Sequence, residues 1–158
     1  CVVKVFKEEL DMELQYRALC GMHILTNKLS KLCPTILKST RVMPVQEFVK
    51  AGDPVRKVNI MVMEYLKNGS LYQFMLHRGR KGRLLERHVR RFFRDIVQAL
   101  DVLHSNGFAH LDIKHLNIMI SNECQAMLID FGMLESCEKD LFILKGTPEW
   151  RDPSQVEG

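Results

Sequence analysis

The residues His110-Leu111-Asp112-Ile113-Lys114-His115-Leu116-Asn117 set an acid, a cation and an amide at fixed offsets, and thirteen residues after Asn117 comes Asp130-Phe131-Gly132. Apolar segments lead into and out of both groups, so the polar side chains gather at one point while their flanks are buried. Asp112 can take a proton from a hydroxyl, and Lys114 can neutralise a phosphoryl group in transfer. Asn117 and Asp130 can offer oxygen ligands to Mg²⁺. Each residue alone has a plainer use, since Asp and Asn cap turns and Lys is usually solvated. Their joint occurrence at these offsets carries the reading.

The elements that must position this cluster follow from pattern. Leu85 to Ser105 reads as a long amphipathic helix, with Val89, Phe92, Phe93, Ile96, Val97, Leu100, Val102 and Leu103 defining a broad buried face and Asn106-Gly107 stopping it. Ile118-Met119-Ile120 and Met127-Leu128-Ile129 read as short strands on either side of a turn. Upstream, Cys1 to Phe6 is a short strand interrupted by Lys4. From Glu8 to about Leu32, apolar residues Leu10, Leu14, Ala18, Met22, Leu25 and Leu29 recur at helical spacing, with Glu8, Glu9 and Asp11 in the first turn. Two strands follow, around Val42 to Val49 and Val58 to Tyr65, separated by the turn-forming Ala51-Gly52-Asp53-Pro54. Ser70 opens a short helix to about His77.

Composition bounds the rest. At 158 residues, 46% hydrophobic and 27% charged, the chain has the make-up of one globular domain and not of a disordered tail. The net charge is +4, and Arg78, Arg80, Lys81, Arg83, Arg87, Arg90, Arg91 and Arg94 crowd one span. That run reads as a solvated loop and outer helix face; a module for nucleic acid or an acidic partner is the lesser reading. Five widely spaced cysteines without a C-x-x-C pair argue against a zinc site or a disulfide scaffold and for reduced thiols inside a cell. No apolar run has the length of a membrane span. Cys1 falls within a strand, so the expectation is that the true N-terminus lies upstream.

The spacing of the two polar groups resembles the catalytic and metal loops of eukaryotic-type protein kinases. The resemblance implies an α+β, two-lobed protein-kinase-like fold that is incomplete. Residues 1–66 would be a partial small lobe (strand, αC-like helix, two strands, hinge) lacking its first strands. Residues 67–158 would be a partial large lobe, with the αD and αE helices, catalytic loop, metal loop and activation segment but without its C-terminal helices. It implies that Asp112 is the catalytic base, that Lys114 marks serine/threonine specificity, and that Asn117 and Asp130 hold Mg²⁺ on ATP. Lys4 resembles the strand Lys that contacts the nucleotide phosphates, with Val2 in place of a small Ala over the adenine. Met63 would stand beside the adenine, the backbone of Glu64 and Leu66 would hydrogen-bond its edge, and Met119 would lie beneath it. His110 and Phe131 would stack. The acid that pairs with Lys4 is Glu13 if the strand-to-helix connection is shortened; the stretch around Cys20, Gly21 and Met22, nearer the family's offset, holds no acid, and the pair is otherwise missing.

Gly146-Thr147-Pro148-Glu149-Trp150 resembles the G-T-P-E-[FWY] that ends serine/threonine activation loops, placing Thr147 near the acceptor hydroxyl. There are departures: Leu111 stands where many kinases carry Arg, His115-Leu116 replaces Pro-Glu, and Asp152-Pro153-Ser154 replaces Ala-Pro-Glu. The loop sequences resemble the myosin light chain and death-associated kinase branch. The resemblance implies an ATP- and Mg²⁺-dependent serine/threonine protein kinase acting on a protein Ser/Thr acceptor. The alternative is a pseudokinase or scaffold. Nucleotide and protein are the expected partners, nucleic acid and membrane are not, and the expected place is the cytoplasm or nucleus.

Overall fold

In the computed structural model, which describes residues 1–6, 11–47, 56–78, 83–138 and 146–150, the chain falls into two units. One comprises Cys1–Lys31 and Leu37–Tyr65, the other Leu32–Ile36 and Leu66–Gly158. Several sequence expectations, namely Glu8, Glu9, Leu10, Val49, the turn 51–54, Arg80, Lys81 and 152–154, lie outside the described residues.

The first unit is an antiparallel sheet with one helix. Strands β1 (Val2–Phe6), β2 (Ser39–Glu47) and β3 (Arg56–Met63) pair in the order β1-β3-β2. Strand β2 begins three residues and β3 two residues before the sequence pattern suggests, and β3 ends two residues before it. Pro44 is tolerated because β2 is an edge strand, where a missing N–H breaks no second ladder. Helix α1 (Met12–Leu29) starts later than the acidic run suggests, because Asp11 is its N-cap: the carboxylate accepts from the backbone N–H of Glu13 at 2.8 Å and of Leu14 at 3.4 Å.

The periodic apolar set of α1 is its buried face only in part. Leu14 and Ala18 are exposed and Met22 and Leu25 half-buried, while Leu29 is buried together with Leu19 and Thr26. Polar anchors decide the rotation. The side-chain amide of Asn59, almost fully buried on β3, donates to Met12 O at 3.1 Å and Gln15 Oε1 at 2.9 Å. One further anchor joins His23 Nδ1 to Ser39 Oγ on β2, 2.6 Å apart. Positions 12, 15, 19, 23 and 26 lie on one side of a helix, so satisfying these groups turns Leu14 outward.

The second unit is built on α3 (Glu86–Ser105). Phe92, Ile96, Ala99 and Leu103 are buried, and Phe74 from α2 (Leu71–Arg78) meets Phe92 edge-on at 5.6 Å between ring centroids. The face expected from the sequence is too wide: Val89, Phe93 and Val97 are exposed, Phe93 at 71%. Those three share a stripe of the helix turned away from Phe92 and Leu103, so hydrophobicity alone overstates the contact face. Helix α2 opens with a capping box, in which Gln73 N–H donates to Ser70 Oγ at 3.2 Å and Ser70 N–H donates to Gln73 Oε1 at 2.9 Å. Strand β4 (Phe108–Ala109) pairs with β7 (Glu135–Ser136), and β5 (Ile118–Ile120) with β6 (Ala126–Leu128).

Leu32–Ile36 belongs to this second unit because its polar groups are used there. Leu128 N–H donates to Thr35 O at 2.7 Å, Ile36 bridges to Leu128, and Thr35 Oγ1 donates to Asp95 O at 3.1 Å. Asp95, buried in the middle of α3, accepts the backbone N–H of Ala126 on Oδ2 at 2.9 Å. A helix acid thus locks the strand that leads to Asp130.

Asp95→Ala is expected to cost about 1–3 kcal/mol, since it strands the buried Ala126 N–H. Urea denaturation reads this; an unchanged midpoint and slope would show that the contact does not hold β6 on α3.

Candidate active site

The loop between β4 and β5 has no regular secondary structure, so each of its turns must be held by specific bonds. His110 provides the first. It is buried, and its ring donates from Nε2 to Ile129 O at 2.9 Å while Nδ1 accepts the Asp112 N–H at 3.3 Å. That pattern needs the neutral tautomer protonated on Nε2. Burial lowers the pKa of His110, with the backbone bond to Ile129 opposing, so the neutral form is the one favoured. Its ring lies 5.2 Å from that of Phe131. One imidazole thereby ties the start of the 110–117 loop to the residue before Asp130.

Asp112 is the centre of the site. Oδ1 accepts from the Thr147 backbone N–H at 3.0 Å and the Thr147 hydroxyl at 2.6 Å. Oδ2 accepts from Lys114 Nζ at 2.8 Å and Asn117 Nδ2 at 2.7 Å. Burial alone would raise this carboxyl. The bonds from the Lys114 ammonium, the Thr147 hydroxyl and backbone, and the Asn117 amide outweigh it and lower its pKa to about 2. Lys114 also donates to Thr147 Oγ1, so Asp112, Lys114 and Thr147 form a closed ring of bonds.

Asn117 has a second anchor, donating from Nδ2 to Asp112 O at 2.8 Å. Both bonds use the amide nitrogen, so the remaining group of this buried side chain is its oxygen, the ligand type a hard cation takes. The Asn117 carbonyl accepts from Ile129 N–H at 3.0 Å, which seats Asn117 next to the β6 exit that leads to Asp130. Two oxygen donors on adjoining strand ends fit Mg²⁺. Among the described residues no group of three or more His, Cys, Asp or Glu forms a metal cluster of its own.

Three backbones near Asp112 lie in the left-handed region: Leu111 at φ 63°, Asp130 at φ 58° and Gly146 at φ 84°. For the two non-glycine residues this costs on the order of 1–2 kcal/mol each. A Cβ on Gly146 would press into the Leu111 carbonyl oxygen, so glycine there lets the 146–150 segment reach the loop.

The remaining sequence-predicted residues divide by unit. In the first, Val2 and Met63 are cross-strand partners, and Lys4 lies opposite Met61 with Nζ 5.2 Å from the Phe6 ring centroid. The Glu13 carboxylate pairs with Arg17 one turn along, at 3.0 Å on an exposed face. No other acid occurs within α1. Glu64 is exposed just beyond β3. In the second, Leu66 is buried and Met119 sits on β5 opposite Met127. Thr147, which the sequence places only near the acceptor, is bonded to two members of the site; the G-T-P-E-W motif is the signal for it. Asp95 gives no such signal, because a lone acid in a helix pattern reads as surface.

A family model described as "Protein kinase domain" matches residues 2–158. The chain is 38% identical over 124 residues to the NUAK family SNF1-like kinase 1 of Homo sapiens, covering 77% of this chain and 18% of that protein. It is 36% identical over 105 residues to the maternal embryonic leucine zipper kinase of Danio rerio, 62% of this chain and 15% of that protein. Against the SNF1-related protein kinase catalytic subunit alpha KIN12 of Arabidopsis thaliana it is 32% identical over 101 residues, 62% and 20% of the two chains. The chain thus spans 15% to 20% of the length of these relatives.

Gly146→Ala is expected to lower any phosphotransfer by at least about tenfold by pushing Thr147 off Asp112, and to lower the thermal midpoint by about a few degrees through its left-handed backbone. Wild-type activity in that variant would show that the Thr147 contacts are dispensable.

Proposed function

The chain belongs to the protein kinase family, and from that membership we propose that it carries the catalytic centre of a serine/threonine protein kinase that moves the ATP γ-phosphoryl group to a protein hydroxyl. The observation that supports this most is the carboxylate of Asp112, bonded at once by Lys114, Asn117 and Thr147. Kinases of this family use ATP and Mg²⁺, and phosphoryl transfer asks a protein chiefly for position and charge.

In this reading Asp112 orients the acceptor hydroxyl. A carboxylate lowered to about 2 is a weak base, so it accepts the proton late, as the new P–O bond forms and the oxygen turns acidic. Lys114 stabilises charge on the moving phosphoryl group, and Thr147 shares Asp112 with the acceptor. Asn117 and Asp130 would hold Mg²⁺, which supplies charge neutralisation on the nucleotide phosphates. Lys4, Val2, Met63, Glu64, Leu66 and Met119 are assigned to the nucleotide, with residues 1–66 as the partial small lobe and residues 67–158 as the partial large lobe. The proposed partners are a protein with a Ser or Thr acceptor and the nucleotide. Among the described residues no helix is long and apolar enough to cross a membrane. The cytoplasm or nucleus is the proposed location.

The second reading is a pseudokinase or scaffold. Two variants separate the readings. Asp112→Asn is expected to cut Mg²⁺- and ATP-dependent phosphotransfer about 10²–10⁴-fold while Mg²⁺-ATP still raises the thermal midpoint. Lys4→Met is expected to lose that thermal shift. A folded wild-type protein that Mg²⁺-ATP does not stabilise would move the assignment to the scaffold.

A further inference from the structure

The polar bonds that set the rotation of α1 leave apolar side chains on its outer side. Leu14 is 61% exposed, Ala18 and Gly21 are exposed, and Leu25 is half-buried. Their spacing of 4, 3 and 4 residues is the a/d repeat of a helix that packs on a second helix. Ile24, 68% exposed, widens the stripe on one side. Single exposed leucines are ordinary on a protein surface, but a contiguous stripe at this spacing marks a contact. Asn59 and the His23–Ser39 bond hold the helix from its sheet side, so rotation cannot bury the stripe against its own sheet.

The stripe is self-complementary in one arrangement. When a second copy of α1 lies antiparallel about a two-fold axis between Ala18 and Gly21, Ala18 meets Gly21 and Leu14 meets Leu25. Each contact then occurs twice, as an isologous interface requires. The small pair at the centre lets the helix axes come to the short end of the usual spacing of about 8–10 Å, and the leucines close over both ends. A Cβ added to Gly21 would meet no atom of the described residues within 4 Å, so the single chain itself leaves room for this approach.

Charge favours the same arrangement. Glu13 lies in the first turn of α1, just after the Asp11 cap, and Lys28 lies in the last. Antiparallel packing brings Lys28 level with the Asp11–Glu13 turn of the other copy and opposes the two helix dipoles. Parallel packing would set like ends side by side.

We propose that the outer face of α1 is a self-association surface, on which a second copy of this chain packs antiparallel with Ala18 and Gly21 at the crossing point. Two helices of 18 residues bury less than the roughly 1,200 Å² of a standard interface, so the pairing is weak and depends on concentration. It stands independently of the kinase reading.

Sedimentation velocity of the whole chain over a wide range of concentration should show a monomer–dimer equilibrium without larger species, because an isologous contact closes on itself. Gly21→Met puts a good helix former into open space but wedges the crossing point apart. It should weaken the dimer by at least about tenfold, while the thermal midpoint of the dilute protein stays the same or rises. Leu14→Glu, at an exposed position, should weaken it similarly, and Lys28→Glu should weaken it more at low salt than at high. A chain that stays monomeric throughout, growth into open-ended oligomers, or a Gly21→Met variant that pairs as the wild type does overturns the proposal. So does pairing that survives Gly21→Met and Leu14→Glu but is lost in Phe93→Glu, since the contact would then lie on the exposed stripe of α3.

Discussion

A carboxylate that accepts four hydrogen bonds cannot shift without breaking several of them, and Asp112 is held in that way. The donors come from its own loop, through Lys114 and Asn117, and from the distant 146–150 segment, through Thr147. Ionisation makes each bond charge-assisted, and partial burial keeps water from competing for the oxygens. The same bonds lower the pKa of Asp112 to about 2. The left-handed backbones at Leu111 and Asp130 are tolerable because this network and the His110 bridge to Ile129 over-determine the loop.

The surrounding fold can be understood as support for that loop. Helix α3 supplies a buried face of Phe92, Ile96, Ala99 and Leu103, and Asp95 fastens β6 to it through Ala126. Strands β5 and β6 then deliver Asn117 and Asp130 to neighbouring positions. Leu32–Ile36 is drawn into the same unit by Thr35 and Ile36, although the chain around it belongs to the other. Polar bonds, more than apolar area, decide these placements.

The catalytic loop, α3 and the short strands around Asp130 are legible in the sequence, because acid, amide and cation at fixed offsets between apolar runs rarely arise for any purpose but a polar site. Rotation and pairing are less legible. Of the periodic apolar residues of α1, Leu14 and Ala18 fall on the side that the Asn59 and His23 bonds turn outward although Leu29 is buried, and neither Asn59 nor His23 announces its partner in the sequence. Val89, Phe93 and Val97 match the apolar period of α3 but lie off its packed face. Sequence leaves the partner of Lys4 open between Glu13 and none, and it does not announce the (i, i+4) pair that Glu13 makes with Arg17. Asp95 is invisible because burial cannot be read from a single acid.

Lys114, Thr147 and Asn117 jointly hold Asp112 ionised, and on that the whole site depends. The most direct test is a carboxyl-carbon NMR titration of Asp112 in the folded protein, beside the Thr147→Ala variant. The expected midpoint is lowered to about 2 in the wild type, climbing toward the ordinary 3.8 when the Thr147 hydroxyl is removed. A midpoint at 3.8 in both proteins would mean that the bonds around Asp112 do not form in solution, and the site as described would fall with them.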